Sequence, residues 1–215
     1  MSATINSSRT VAYTNFELFD GSNDRKFTTM RNLLASGVQA YVERNKVPPA
    51  EIFCFHSAVP ADQMNLFVEL FIKPSKGTFE NTYKDQKVNF TMVLINGKTS
   101  ERFFSPGGQI SNVPAGTLIA KDVVSKDYDF FIVSQRANKG TSVPNHYKVI
   151  YSDSKVEEGF LQEIIFAQCF GYFNWTGSIK VPAVLQYAKK AAKFGAEVIE
   201  NNSVPHSLHR LYYFI

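Results

Sequence analysis

No apolar run in this sequence approaches the roughly 18 residues that a membrane-spanning helix needs, so no spanning segment is expected. The opening MSATINSSRT lacks a charged stretch followed by an apolar core, and no secretory leader is expected either. On that basis Asn-x-Ser/Thr triplets such as Asn89-Phe90-Thr91 carry no glycosylation meaning. Cysteine is scarce. Cys54 and Cys169 both lie in apolar segments, which excludes a disulfide framework and reads as two buried, reduced thiols. With only His56, His146, His206 and His209 beside them, no zinc-ligand spacing arises. There is no phosphate-cradling Walker run, no dinucleotide glycine fingerprint and no Gly-x-Ser-x-Gly elbow. Ser57 beside His56 is adjacent in sequence without being posed as nucleophile and base. No cofactor and no resident metal are expected. Charge of neither sign dominates: the net +4 permits an anionic partner without requiring one.

What the sequence does have is aromatic bulk. Nineteen Phe and ten Tyr in 215 residues argue against disorder and supply a sizeable core. Residues 10–19 read as a strand, and residues 24–45 as an amphipathic helix with Phe27, Met30, Leu33, Leu34, Val38 and Tyr41 at helical spacing. A short strand over 51–55 and a helix over 61–72 follow. Residues 73–87 are polar and loop-like. Strands are predicted at 88–95, 102–104, 117–121, 129–134 and 146–151, with Asn96-Gly97 as a turn and 105–115 as an exposed loop. Two helices close the chain: 156–172, with Phe160, Ile164 and Ala167 on one face, and 183–200, with Val184, Tyr187, Ala188, Ala191 and Val198 on one face. The pattern predicts one α/β domain with a mixed sheet flanked by helices.

The second half carries a specific order of short runs. Tyr128-Asp129-Phe130-Phe131-Ile132-Val133-Ser134-Gln135 precedes Gly140-Thr141-Ser142-Val143-Pro144-Asn145-His146-Tyr147. Then come Gln168-Cys169-Phe170-Gly171-Tyr172, Ile179-Lys180-Val181-Pro182-Ala183 and Tyr187-Ala188. Arg102-Phe103, Asn112-Val113-Pro114-Ala115-Gly116-Thr117 and the aromatic tail Leu211-Tyr212-Tyr213-Phe214-Ile215 stand in the matching order. The chain resembles the C-terminal PIWI domain of the Argonaute/Piwi family, and its Tyr-Ala-Lys-Lys-Ala-Ala-Lys-Phe-Gly run is similar to divergent, nematode-type members.

The resemblance implies an RNase H-like fold over residues 1–215, without PAZ or MID domains and lacking the first, central strand. A chain so truncated is expected to be marginally stable or a fragment. In cutting members, carboxylates with a His hold two divalent metals that stabilise the attacking water and the leaving oxygen. The family's Arg-Asp-Gly-Val-x-x-x-Gln run lines up with His56-Ser57-Ala58-Val59-Pro60-Ala61-Asp62-Gln63. Ser57, a poor ligand for a hard cation, therefore stands at an Asp position. Lys189 stands at the His position, the family's Glu falls at Asp24 or Arg25, and the first Asp lies outside the chain. His56 and Asp62 are not expected to substitute, His56 because neighbouring strand residues face opposite sides. The resemblance thus implies a PIWI domain without catalytic residues, not an enzyme.

Binding residues carry over in the same way. The matching segments offer Lys98 and Arg102 on one loop, Lys139, Thr141 and Ser142 on a second and Lys180 on a third, with Tyr172 and Lys193 further along. These would grip the phosphates of a small guide RNA paired to target RNA, in gene silencing. Each has a plainer reading: Arg102 paired with Glu101 or Asp129, Thr141 and Ser142 capping a turn, Tyr172 closing the core, Lys193 paired with Glu197. Phe194 falls where a family Arg holds the guide's 5′ phosphate, while the carboxylate of Ile215 is placed to lie near that end. The alternatives are a protein-interaction module docking Trp-containing silencing partners without RNA, and a residual Mg²⁺-dependent ribonuclease. The expected location is the cytoplasm or nucleus, away from membranes.

Overall fold

The structure, a computed structural model, describes residues 1–6, 11–18, 21–84, 86–125, 128–198 and 204–215; the side chains of Asn23 and Asp24 also lie outside that description. The ends of the strand expected over 10–19 and of the helix expected over 183–200 fall in undescribed positions. Strands β1 (Ser2–Thr4) and β2 (Ala12–Thr14) pair antiparallel, and helix α1 (Asn23–Asn45) follows, capped at Ser22. Then come β3 (Glu51–Ser57), α2 (Met64–Phe67), α3 (Lys73–Thr82), β4 (Asn89–Asn96), β5 (Phe104–Ser105) and β6 (Ser111–Asn112). The chain ends with β7 (Thr117–Ile119), β8 (Asp129–Val133), β9 (Asn145–Ser152), α4 (Glu158–Gln168) and α5 (Ala183–Val198).

The main sheet has the order β3-β4-β9-β8-β7, with β3 and β4 parallel and the other neighbours antiparallel. β1 and β2 form a separate sheet, and α5 packs across β1, β2 and β3. Among the described residues no strand joins these two sheets.

Alternation along β4 divides the core. Phe90, Met92 and Leu94 pack with Phe27, Leu34, Val38, Phe67, Phe71 and Phe79 beneath α1, α2 and α3. Val93 and Ile95 face the opposite way, onto Phe130, Ile132, Tyr147, Leu161, Ile165 and Leu185. Burial on both faces is why β4 reads as a continuous apolar run. The aromatic tail closes a third cluster, in which Tyr187, Ala191 and Phe214 are buried against Tyr212 and Tyr213. Burial pushes the thiols of both Cys54 and Cys169 up to about 12.

Several expected elements differ. Residues 73–87 are not a loop: α3 continues the helical path to Thr82, with Phe79 buried. Pro74 is tolerated because it stands in the first turn of α3, just after a wide π-turn over Val68–Ile72. The carbonyl of Leu70, which Pro74 cannot serve, accepts instead from Arg31 Nη1 of α1. Residues 105–115 contain β6, paired with β5, rather than loop alone. On α4 the buried residues are Leu161, Ile165 and Gln168, so Phe160 faces solvent and the expected face is rotated. On α5, Gly195 is buried and Val198 is exposed.

Asp153 locks α3 to the sheet. Its Oδ1 accepts from the Phe90 amide at 2.7 Å, and its carboxylate is ion-paired with Lys76 of α3. Asp153→Ala strands a buried amide and a largely covered ammonium, at a cost of about 2–3 kcal/mol. A denaturant midpoint that falls with an unchanged m-value checks this.

Candidate nucleic-acid interface

Register brings the functional segments to one end of the sheet. Ser57, the last residue of β3, pairs with Ile95, and Asn96 pairs with His146 near the start of β9. Ile132, near the end of β8, pairs with Asn145. The chain therefore leaves β3, β4 and β8 at the same edge, outside the carboxyl ends of the parallel pair, where open α/β sheets place ligands.

Side-chain hydrogen bonds stitch these loops together. Thr99 Oγ1 donates to the Pro144 carbonyl at 3.0 Å, and Asn112 Nδ2 donates to Gly140 O at 2.8 Å. Asn112 Oδ1 accepts from the Ser142 amide at 2.9 Å. Gly140 has φ +75°, a left-handed turn that glycine adopts without strain. Ser134 Oγ donates to the Lys180 carbonyl at 2.7 Å and Asn145 Nδ2 donates to the same oxygen, so the third loop is pinned to the ends of β8 and β9. Lys98, Arg102, Lys139, Thr141 and Lys180 all lie exposed on this framework. Arg102 pairs with neither Glu101's carboxylate nor Asp129. Its Nη1 donates to the carbonyls of Thr99 and Glu101, which fix the guanidinium without neutralising it. Asp129 is instead bound to His146 Nε2 at 2.8 Å.

Other expected residues play different parts. Ser142 is buried and its hydroxyl accepts from the Ala137 amide at 3.0 Å, so it shapes the loop from inside. Tyr172 packs on Tyr187 with centroids 5.4 Å apart, and Lys190 Nζ stands 5.8 Å from its ring. Lys193 pairs with Glu197 at 3.7 Å along exposed helix. Phe194 packs on Tyr213.

The end of β3 gathers cations. His56 leans on Phe67 with centroids 4.8 Å apart, and its Nδ1 donates to the Ser57 carbonyl at 2.5 Å. Lys26 of α1 places Nζ 5.4 Å from the same Phe67 ring. Burial is the main cause holding the His56 imidazole below its ordinary value; its backbone hydrogen bond opposes this, and Lys26 and Lys189 reinforce it. Lys26 stands one residue beyond the Asp24–Arg25 position, and nothing in its sequence neighbourhood sets it apart from other surface lysines. Asp62 is exposed, and the side chain of Asp24 lies outside the described residues. Hydroxyl and ammonium groups are poor ligands for a hard divalent cation.

The Piwi domain family model matches residues 1–200. The chain belongs to the Piwi domain family. Piwi-like protein 1 of Gallus gallus is 32% identical over 186 residues, covering 86% of this chain and 22% of that protein. Piwi-like protein 1 of Danio rerio is 30% identical over 165 residues, covering 76% and 19%. The chain thus spans about a fifth of the length of the curated relatives it matches. The crystal structure of Drosophila Piwi superposes with a TM-score of 0.85 at 23% identity, over 100% of this chain and 29% of that one. That of Kluyveromyces polysporus Argonaute with a guide RNA gives 0.85 at 24% identity, over 99% and 29%. The expected RNase H-like architecture is therefore the observed one.

Because the folded Piwi domain resists protonating His56, the unfolded chain binds the extra proton. Stability from this source is full above the ordinary value of 6.5 and falls as the pH drops below it. His209, also held low mainly by burial, adds to the trend. Urea midpoints measured from about pH 7 to about pH 5 should decline, and His56→Gln should flatten the decline.

Proposed function

We propose that this Piwi domain binds the phosphate backbone of a small RNA paired to its target and does not cut it, serving RNA-mediated silencing in the cytoplasm or nucleus. The observation that carries the reading is the set of cations, Lys98, Arg102, Lys139 and Lys180, on loops tied together at one sheet end. Rigid loops hold the charges at fixed spacing, which favours a polyanion of regular repeat over a single counterion. Family membership supports nucleic acid as that polyanion. The absence of cutting is supported by Ser57 and Lys189, which cannot serve as metal-binding Asp and His. No helix among the described residues is long and apolar enough to cross a membrane.

A protein-docking reading draws on a different observation: Phe160, Phe170, Phe173 and Trp175 are each more than half exposed. Binding of Trp-containing peptides that is indifferent to salt would favour it.

The test is RNA binding by the chain across a salt series. Replacing Lys98, Lys139 and Lys180 with Gln should weaken binding about 10- to 100-fold near physiological salt and flatten the salt dependence by roughly 0.7–0.9 per lost contact. Lys193→Gln, whose ammonium is already paired, should change affinity by less than about twofold. No cleavage should appear on adding Mg²⁺. Mg²⁺-dependent cleavage lost in Asp24→Asn would overturn the non-cutting part of the reading.

A further inference from the structure

A cleft of about 540 Å³ lies between the second half of α1 and the turn at residues 206–210, with β2 beside them. That volume suits a small organic ligand. None of its lining residues belongs to the loops that carry Lys98, Arg102, Lys139 and Lys180. The His209 carbonyl accepts from the Thr14 amide at 2.8 Å, which ties the turn to β2. The His209 ring is buried and meets Tyr13 edge-on, with centroids 5.4 Å apart. His206, which is exposed, stands 4.8 Å from the same ring. Burial is the main cause holding the His209 imidazole below its ordinary value, and His206 adds to it, so the ring is uncharged at neutral pH. His209 Nδ1 nonetheless has no hydrogen-bond partner among the described residues. A buried polar atom left unpaired costs free energy, and a ligand atom that pairs with it removes the cost.

On α1, Gln39 Nε2 donates to Glu43 Oε1 at 3.1 Å, and Arg210 Nη2 of the turn lies 3.6 Å from Glu43 Oε2. A carboxylate and a guanidinium therefore stand side by side at the cleft, each about half exposed. An ion pair so exposed contributes little by itself and leaves both groups open to a ligand. The chemistry narrows what that ligand is. The described residues contain no group of three His, Cys, Asp or Glu that could hold a metal ion. A simple anion would meet Glu43, and a simple cation would meet Arg210. A flat ligand suits imidazole walls, and it needs donors for the carboxylate next to an acceptor for the guanidinium. Among the common RNA bases, guanine alone carries two adjacent N–H donors beside a carbonyl on its pairing edge.

We infer that this cleft binds a guanine base, with Glu43 accepting from its N1–H and N2 amino groups, Arg210 donating to O6, and the ring against His206 and His209. The inference goes beyond the backbone-binding reading and does not rest on it. A free guanine nucleotide and an unpaired guanosine of an RNA offer the same edge, and the recognition is the same for both.

The test follows the His206 and His209 ring resonances by NMR while the intact chain is titrated with guanosine, inosine and adenosine. Guanosine should move them saturably. Inosine, which lacks the N2 amino group, should bind about tenfold more weakly, and adenosine more weakly still. Glu43→Gln, at an exposed position, should weaken guanosine about tenfold and bring it close to inosine, with a thermal melt recorded to show that the fold is kept. Guanosine monophosphate and a short single-stranded RNA ending in guanosine are then compared. Tighter binding of the RNA assigns the base to RNA, tighter binding of the nucleotide assigns it to the free pool, and either result upholds the cleft. The site is refuted if millimolar guanosine leaves the resonances still, if adenosine binds as tightly, or if Glu43→Gln binds guanosine as wild type. Loss of guanosine binding on replacing Lys98, Lys139 and Lys180 would also refute it, because the ligand would then sit on the loops. If guanosine binds while RNA shows no salt-dependent binding, the cleft stands and the backbone-binding reading fails.

Discussion

Residues 51–57 and 89–96 run side by side in the same direction, and parallel strands cannot be joined by a tight turn. The connection has to cross the sheet, and here it does so as the broken helical path through α2 and α3. That crossover covers one face of β4 with Phe67, Phe71 and Phe79 while returning both strand ends to the same edge. The position of Ser57 beside Ile95, and hence beside the loops that follow β4 and β8, is a consequence of this pairing. A slip of one residue would exchange the faces on which His56 and Ser57 lie and remove Phe67 from beneath the imidazole.

Phe67 links the core to the charged strand end. Its ring packs on Phe27 and Phe71, and Lys26 and His56 approach the same ring. An ammonium over an aromatic face keeps its charge while burying its stem. A half-covered cation is tolerated there because the ring supplies part of what water would.

Much of this was legible in the residues. Hydrophobic spacing located α1, and the apolar run of β4 announced a strand. The order of short runs pointed to the family, and the alignment through Val59 and Gln63 placed Ser57 at the strand end. Illegible features depend on partners remote in sequence. The polar stretch of α3 reads as a loop because its helix is held from outside, by Arg31 on Leu70 and by Asp153 on Lys76. Ser142 reads as a surface hydroxyl because only the folded loop shows Ala137 and Asn112 using it up. Lys26 reads as one more exposed cation on a helix until the crossover brings Phe67 beneath it.

β3 forms one margin of the main sheet, with seven residues that include Phe53, Cys54 and Phe55 and no strand beside its outer side among the described residues. A sheet margin without a strand neighbour is where another chain can add in general. The molecule's net charge of +4 is a weak shield against that encounter, and its reach shrinks to about 8 Å at physiological ionic strength. Salt therefore thins the long-range repulsion that keeps one molecule's sheet margin away from another's. The colloidal state of the solution thus follows its ionic strength through this margin of the sheet.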